Sequence, residues 1–279
     1  MPELPEAEVV AHQLRAKLVG AILTDCWVGR ADIIREGADT LPWYRGAVLQ
    51  RIHRYGKSVA LELLQGEESR YVVAELGMTG LLLFRSVPIK HPQHVHVRLS
   101  FAGGQEPELR YWNPRRFGRL SLLDRKGLDR YLTRRFGCDP LSVSRQHFMQ
   151  ILRERRGRLK RLLMHQQVIA GIGNIYANEI LFRVGLHPNR ETSRIRDATR
   201  TKLYDMMQTV LREAITNGGS SVRDFFAPDG SEGRYKRYHL AYGKEGQPCP
   251  NGCGRLIRRL QSERSSFFCP HCQSKKVSG

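Results

Sequence analysis

The sequence predicts an α+β chain: a strand-rich first half introduced by one helix, a helical second half, and a cysteine-bearing segment at the end. Two observations carry this expectation. The hydrophobic period changes from two to helical near residue 126, and four of the six cysteines fall within positions 249–272. With 279 residues and 41% hydrophobic content, the chain is long enough to bury two cores.

Residues 5–19 read as an amphipathic helix, with Val9, Val10, Leu14 and Leu18 on one face and Gly20 as its stop. From 21 to 125 the pattern is strand-like. The stretch from His94 to Leu99 alternates with period two, and 58–64 and 81–84 are short apolar runs. Gly103-Gly104 marks a turn, and Gln65-Gly66 marks a weaker one. A basic helical stretch at 126–140 forms the border. Candidate helices follow at 146–156, 159–165, 175–184 and 198–215. Asn217-Gly-Gly-Ser-Ser221 ends the last of them and opens a polar loop through Ala227-Pro-Asp-Gly230.

The cysteines define the C-terminal part. Cys249 and Cys253 are separated by three residues, Cys269 and Cys272 by two, and fifteen residues lie between the pairs. Two such knuckles can deliver four thiolates to one tetrahedral zinc ion across a hairpin-length connection. Disulfides are the competing reading. They need an oxidising compartment, and the N-terminus shows no basic flank, apolar stretch and cleavage site of a secretory signal. One structural zinc is therefore expected in an intracellular protein. Cys26 and Cys138 stand alone and read as buried, inert thiols.

Charge narrows the class of partner. Lys and Arg total 46 against 27 Asp and Glu, a net charge of +19. Such an excess points to a polyanion, nucleic acid above all. An anionic membrane surface fits less well, because no long apolar run or basic amphipathic anchor is visible.

Three constellations can carry chemistry. At the start, Met1-Pro-Glu-Leu-Pro-Glu6 has a small second residue, so removal of Met1 would expose Pro2 as a secondary amine. That amine can attack an aldehyde-like carbon and form an iminium ion, and Glu3 and Glu6, one helical turn apart, can move protons beside it. Pro and Glu near a helix start equally suit the macrodipole. Second, Gly171-Ile-Gly-Asn174 opens a helix whose start offers N–H groups to a phosphate, with Asn174 as N-cap, and Arg158, Lys160 and Arg161 add charge nearby. A plain interhelical turn is the alternative. Third, Met78 beside Gly77, and Arg115 and Phe117 in Pro114-Arg-Arg-Phe-Gly118, supply apolar wedges and an arginine that could replace an extruded base. Core packing is the alternative for Met78 and Phe117, and Lys57 reads either as a phosphate contact or as a solvated turn charge.

Taken together, the Met-Pro-Glu-Leu-Pro-Glu start, Tyr55-Gly-Lys57, Leu76-Gly-Met-Thr-Gly80, Asn113-Pro-Arg-Arg-Phe-Gly118, Gly171-Ile-Gly-Asn-Ile-Tyr176, Gly218-Gly-Ser-Ser-Val-Arg-Asp224 and the zinc knuckles resemble the formamidopyrimidine-DNA glycosylase/endonuclease VIII family across nearly the whole chain. The resemblance implies an N-terminal β-sandwich catalytic domain over 1–125, a helix–two-turns–helix DNA-binding domain over 126–240 and a zinc finger over 241–279, with DNA running in the cleft. It implies a bifunctional glycosylase and abasic-site lyase of base-excision repair that excises oxidised purines from double-stranded DNA. Pro2 would be the nucleophile at C1′, Glu3 would protonate the opening deoxyribose, and Glu6 would support the site. Lys57 would contact the damaged site and its phosphate, Asn174 and Arg264 would grip the flanking phosphates with Lys160 near them, His94 would contact DNA, and Met78, Arg115 and Phe117 would fill the gap left by the flipped nucleotide. Cys249, Cys253, Cys269 and Cys272 would hold the zinc. A cytoplasmic, monomeric enzyme without membrane contact follows from the same resemblance.

Four positions depart from the family pattern. Glu75 stands where a histidine is usual, the first knuckle is one residue longer, His165 stands where an acidic residue is common, and the stretch from His91 to His94 is extended. Two other readings compete. An endonuclease VIII-like enzyme for oxidised pyrimidines would use the same chemistry, but Leu4 and the loop from Gly218 to Tyr235 favour the purine branch. A non-catalytic damage binder would have no use for a processed Pro2 beside Glu3.

Overall fold

A computed structural model describes residues 2–221, 225–261 and 264–274. The chain divides into two compact units: the residues up to Arg135 together with Ile215–Lys236, and Phe136–Ala214 together with the residues from Arg237 onward.

The first unit opens with α1 (Leu4–Leu18). Pro5 sits in its first turn, and its buried face is Leu4, Ala7, Val10, Ala11, Leu14 and Leu18. Nine strands follow: β1 (Ile22–Val28), β2 (Ile34–Glu36), β3 (Val48–Tyr55), β4 (Ser58–Gln65), β5 (Glu68–Glu75), β6 (Leu81–Phe84), β7 (Val95–Ala102), β8 (Glu108–Trp112) and β9 (Leu120–Leu123). Their hydrogen-bonded order is β2-β9-β5-β4-β3-β1-β7-β8-β6. The ladder nearly breaks between β3 and β1, which share the single register pair Ile22↔Val48. That joint lets the sheet fold over itself as a sandwich, with inner faces packed as in other aligned sheets. Leu61, Val72 and Leu120 from one half line the same small apolar gap as Leu82, Val97 and Leu109 from the other.

The basic stretch after β9 becomes α2 (Arg125–Arg135), buried through Gly127, Leu128 and Tyr131. It packs on β5 and β9, so it completes the sheet unit. Three buried residues among many charged ones make its apolar stripe narrow, which is why the sequence pattern marked it only as a border.

The second unit holds α3 (Arg145–Glu154), α4 (Leu159–Leu163), α5 (Asn174–Val184) and most of α6 (Asp197–Thr216), then the hairpin of β10 (Arg258–Leu260) and β11 (Ser266–Phe268). Ser144 caps α3 by accepting from the N–H of His147 at 3.2 Å, and Gly185 ends α5 in the left-handed region at φ +76°. The centre of this unit is α5. Phe182 packs with Ala241, Cys249, Ile257 and Cys269, and the fully buried Glu179 accepts from the N–H groups of Leu240 (2.8 Å), Ala241 (3.0 Å) and Tyr242 (2.8 Å). Burial pushes the Glu179 carboxyl up, and those three donors act against it. No helix of the described residues is long and apolar enough to cross a membrane.

Candidate active site and nucleic-acid contacts

The N-terminal corner is built from backbone donors. Met1 lies outside the described residues, and Pro2 is the buried residue immediately before the helix N-cap, Glu3. Glu3 and Glu6 form a reciprocal capping box, in which Glu6 Oε2 accepts the Glu3 N–H at 2.7 Å. The other Glu6 oxygen, Oε1, accepts the N–H of Ser220 at 2.7 Å, although 214 positions separate the two residues. Gly219 makes this approach possible. It sits at φ +79°, and a Cβ there would come within 2.8 Å of Glu6 Oε1. Both carboxyls are buried, Glu3 at 2% and Glu6 at 1% exposure. Orphan N–H groups at the helix start offset the cost of burying them. The corner therefore sets the buried Pro2 directly before two buried carboxyl groups in the chain, and Glu6 locks the 218–221 segment against α1.

Lys57 is half-buried in the two-residue turn between the paired Tyr55 and Ser58. The hairpin carrying it is tied to α1. Glu8 accepts from Arg54 Nε at 2.7 Å and Arg15 Nη1 at 2.9 Å, and Arg15 Nε donates to the Ile52 carbonyl at 2.8 Å. Burial pushes the Glu8 carboxyl up, but the hydrogen bonds and charges of Arg15 and Arg54 more than offset this and hold it below the usual range.

Met78 and Phe117 are surface residues, 40% and 56% exposed, which removes the core reading of both. The Arg115 guanidinium lies 4.9 Å over the Phe117 ring, a cation–π contact. The two loops are pressed together: a Cβ on Gly77 would meet Gly118 N at 2.5 Å, and one on Gly118 would meet the Glu75 carbonyl at 2.1 Å. Between the loop tips, Arg116 is the positive-φ non-glycine among the described residues, at φ +54°. His94 ends a 3-10 turn, half-buried, with its ring 6.0 Å from that of Trp112. Glu75 is turned toward cations. Its oxygens lie 3.2 Å from Arg35 Nη1 and 3.0 Å from Arg135 Nη1, so the acid brings two guanidiniums to the end of β5.

In the helical unit one expectation is corrected. Gly173, not Asn174, is the N-cap of α5, and Asn174 is its first helical residue. The extended backbone at φ −123°, ψ −157° falls on Gly173 because Gln166 clamps the loop one residue earlier than the Asn signal suggests. Gln166 donates to the Met164 and Ile172 carbonyls, each at 2.8 Å, and accepts from the Gly171 N–H at 2.8 Å. Lys160 is 6% exposed, and its Nζ donates to the Ser265 carbonyl at 2.8 Å and Ser266 Oγ at 2.9 Å. It therefore anchors the hairpin next to Arg264, which is itself exposed. Asn178 links the same two places: its Nδ2 donates to the Asn174 carbonyl at 2.6 Å, and its Oδ1 accepts the Phe267 N–H at 2.8 Å. Gln166 and Asn178 gave no signal in the sequence, because a lone amide acquires meaning only when distant backbone reaches it. Val222, Arg223 and Asp224, part of one motif read from the sequence, lie outside the described residues. The chain on either side of them is pinned, with Ser221 Oγ donating to the Phe225 carbonyl at 2.6 Å.

The four C-terminal thiols converge as their spacing predicted. All four sulfurs lie within 4.8 Å of one another, with Cys249 to Cys272 at 3.8 Å and Cys253 to Cys269 at 3.4 Å. A tetrahedron of sulfurs about 2.3 Å from zinc has edges near these lengths, whereas a disulfide would bring a pair to about 2.05 Å. The N–H of Cys272 donates to Cys269 Sγ at 3.4 Å. The residues fit one structural zinc. Cys26 and Cys138 are half-buried rather than buried, and burial pushes both thiols up to about 11, away from the thiolate form.

Comparison with known proteins agrees with this arrangement part by part. Residues 1–120 match the formamidopyrimidine-DNA glycosylase N-terminal domain, 136–226 its H2TH domain, and 246–275 the zinc finger found in FPG and IleRS. A formamidopyrimidine-DNA glycosylase of Solibacter usitatus is 39% identical over 99% of this chain and 100% of its own length. The MutM (Fpg) crystal structure from Thermus thermophilus superposes with a TM-score of 0.85 at 34% identity, over 99% of this chain and 100% of that one. A Lactococcus lactis Fpg in complex with DNA containing an abasic site gives 0.85 at 30% identity, over 98% and 100%. The strand-rich unit, the helical unit and the four-thiol finger match, in order, the three parts of a DNA-glycosylase class of protein. The chain belongs to the formamidopyrimidine-DNA glycosylase family.

Proposed function

We propose that this chain is a bifunctional DNA glycosylase and abasic-site lyase that excises oxidised purines, 8-oxoguanine and formamidopyrimidines, from double-stranded DNA. The observation that carries the proposal is the N-terminal corner, where Pro2 is buried beside Glu3 while Glu6 is spent on two backbone N–H groups. With Met1 removed, the Pro2 nitrogen bonds to C1′ of the damaged nucleotide as the C1′–base bond breaks and the base leaves with a proton. Glu3 supplies a proton to O4′ as the deoxyribose ring opens, leaving an iminium between Pro2 and C1′. The iminium acidifies the C2′ hydrogens, so the 3′ phosphate departs by β-elimination and the 5′ phosphate by δ-elimination. A one-nucleotide gap remains, and hydrolysis of the imine returns the amine.

The surrounding residues bind and position. Met78, Arg115 and Phe117 fill the space of the extruded nucleotide, offsetting an unstacking cost of a few kcal/mol. Lys57, His94, Asn174 and Arg264 meet the DNA backbone, and Lys160 holds the hairpin that presents Arg264. The zinc contributes structure: it fixes the hairpin that Arg264 belongs to and enters no chemical step. Backbone contacts of this kind do not read sequence and weaken as salt rises. A lesion relative of known structure supports the substrate class, since a Lactococcus lactis Fpg variant was solved with Fapy-dG-containing DNA. The enzyme acts as a cytoplasmic monomer on the bacterial chromosome.

The test compares end-labelled duplexes carrying 8-oxoguanine opposite cytosine, thymine glycol, or an abasic site. Excision of 8-oxoguanine with phosphate at both ends of the gap is the expected product. Preference for thymine glycol would assign the chain to the pyrimidine-lesion branch instead.

A further inference from the structure

Asn113, the residue that opens Asn113-Pro-Arg-Arg-Phe-Gly118, is fully buried, at 0% exposure, at the base of the exposed loops. Its side chain and backbone are spent on all of them. Oδ1 accepts the Thr79 hydroxyl at 3.2 Å, one residue from Met78, and the Arg116 N–H at 3.0 Å, between Arg115 and Phe117. Nδ2 donates to the Gly118 carbonyl at 3.3 Å and to the Tyr111 hydroxyl at 3.0 Å, and that hydroxyl donates to the Glu75 carbonyl at 2.7 Å. The Asn113 N–H donates to the His94 carbonyl at 2.9 Å, and the Asn113 carbonyl meets Nε2 of the buried His96 at 2.9 Å. The segments bearing Met78, His94, Arg115 and Phe117 thus have one buried residue in common.

We propose that Asn113 is a positioning residue: it sets Met78 and the Arg115–Phe117 pair at a fixed separation, so that they enter a base stack as one body. The proposal rests on the reading of those three side chains as the gap-filling group. Three features favour positioning over mere support of the fold. The bonds converge on a single acceptor atom from the tips of two loops, beyond the β5–β9 and β6–β8 ladders at their bases. The Arg116 backbone is held at φ +54°, a conformation that a non-glycine residue keeps only when its surroundings impose it. The side chains so placed are outside the core, so their spacing matters to a ligand and not to packing.

The test uses single-turnover rates on two substrates: an 8-oxoguanine:cytosine duplex, which must be unstacked, and a single-stranded abasic oligonucleotide, which needs no wedge. Asn113→Ala removes the side-chain contacts to both loops and leaves only the Arg116 N–H bond to the residue-113 carbonyl, at 3.2 Å. Thr79→Val removes one side-chain contact and keeps the volume. Asn113→Ala is expected to slow the duplex reaction about tenfold or more while leaving the single-strand lyase rate within about twofold, because small misplacements of a positioned group are costly only where it is used. Thr79→Val should fall between the parent and Asn113→Ala. Equal losses on both substrates, or no loss on the duplex, would overturn the proposal. Met78→Ala and Phe117→Ala run in parallel. If neither slows the duplex reaction, the gap-filling reading itself fails. If they slow it and the Asn113 and Thr79 variants do not, only the positioning role fails.

Discussion

The sheet unit and the helical unit present their functional residues by opposite means. In the sheet unit, the exposed loops and the N-terminal corner are held by side-chain hydrogen bonds to other parts of the chain, as between Glu6 and Ser220 or Asn113 and Thr79. In the helical unit, one metal site organises the hairpin that carries Arg264, and α5 supports it through Asn178 and Glu179. A hydrogen-bonded loop can be loosened one contact at a time. A four-thiolate site is lost as a whole, because its binding free energy is also the folding free energy of the segment.

The largest expected effect is therefore loss of zinc. Cys269→Ser should abolish stoichiometric zinc in elemental analysis and weaken binding to abasic-site duplex by about 100-fold or more, consistent with the ~10–16 kcal/mol associated with structural zinc sites. Hydrogen exchange in β4 and β5 should stay as in the parent protein, since those strands belong to the other unit.

The N-terminal corner should respond strongly but by degrees. Glu6→Gln replaces one acceptor oxygen by an amide nitrogen facing a backbone N–H, and a buried unpaired donor costs about 1–3 kcal/mol. Gly219→Ala forces a Cβ toward Glu6 at φ +79°. Both variants should lower the melting temperature and slow imine formation, with zinc content unchanged.

A smaller pair of effects separates anchoring from contact in the helical unit. Arg264→Ala should reduce the slope of log binding against log salt by about one, the signature of one lost phosphate contact. Lys160→Met, which removes the two hydrogen bonds to Ser265 and Ser266, should weaken binding by about 10-fold with the slope nearly unchanged, within the range expected for two hydrogen bonds of about 0.5–1.5 kcal/mol each. A slope change equal to that of Arg264→Ala would make Lys160 a phosphate ligand.

The smallest effect is acid sensitivity at the α1–β3 junction. The Glu8 carboxyl lies lower in the folded chain than in the unfolded one, so its contribution to stability is present above about pH 4.3, the ordinary Glu value, and is lost as pH falls through the folded value. The melting-temperature gap between the parent and Glu8→Gln should be full at pH 7 and close progressively below pH ~4.

The sequence shows much of this architecture, and the reasons are local. Periodicity located α1 and the long helices, and cysteine spacing located the metal site, because both signals are carried by neighbouring residues. Met78 and Phe117 were ambiguous between core and surface until the fold placed them on loop tips. Asn113, Gln166, Asn178 and Gly219 stayed silent because each acts on backbone that the fold delivers from elsewhere. The Asn174 cap was misplaced by one residue for the same reason: Gln166, not the local Asn signal, decides where the turn closes. Glu75 departs from the family pattern, and its meaning depends on Arg35 and Arg135, neither of which is adjacent in sequence.

The central claim is that Pro2 forms the covalent intermediate. Borohydride reduction during reaction with an 8-oxoguanine:cytosine duplex, followed by peptide mass mapping, tests it most directly, with Pro2→Gly and intact-mass measurement of Met1 removal alongside. The account expects a trapped adduct on the N-terminal peptide at Pro2, in protein lacking Met1. An adduct mapped to a lysine such as Lys57, or no adduct from protein that lacks Met1 and still binds the duplex, would contradict it.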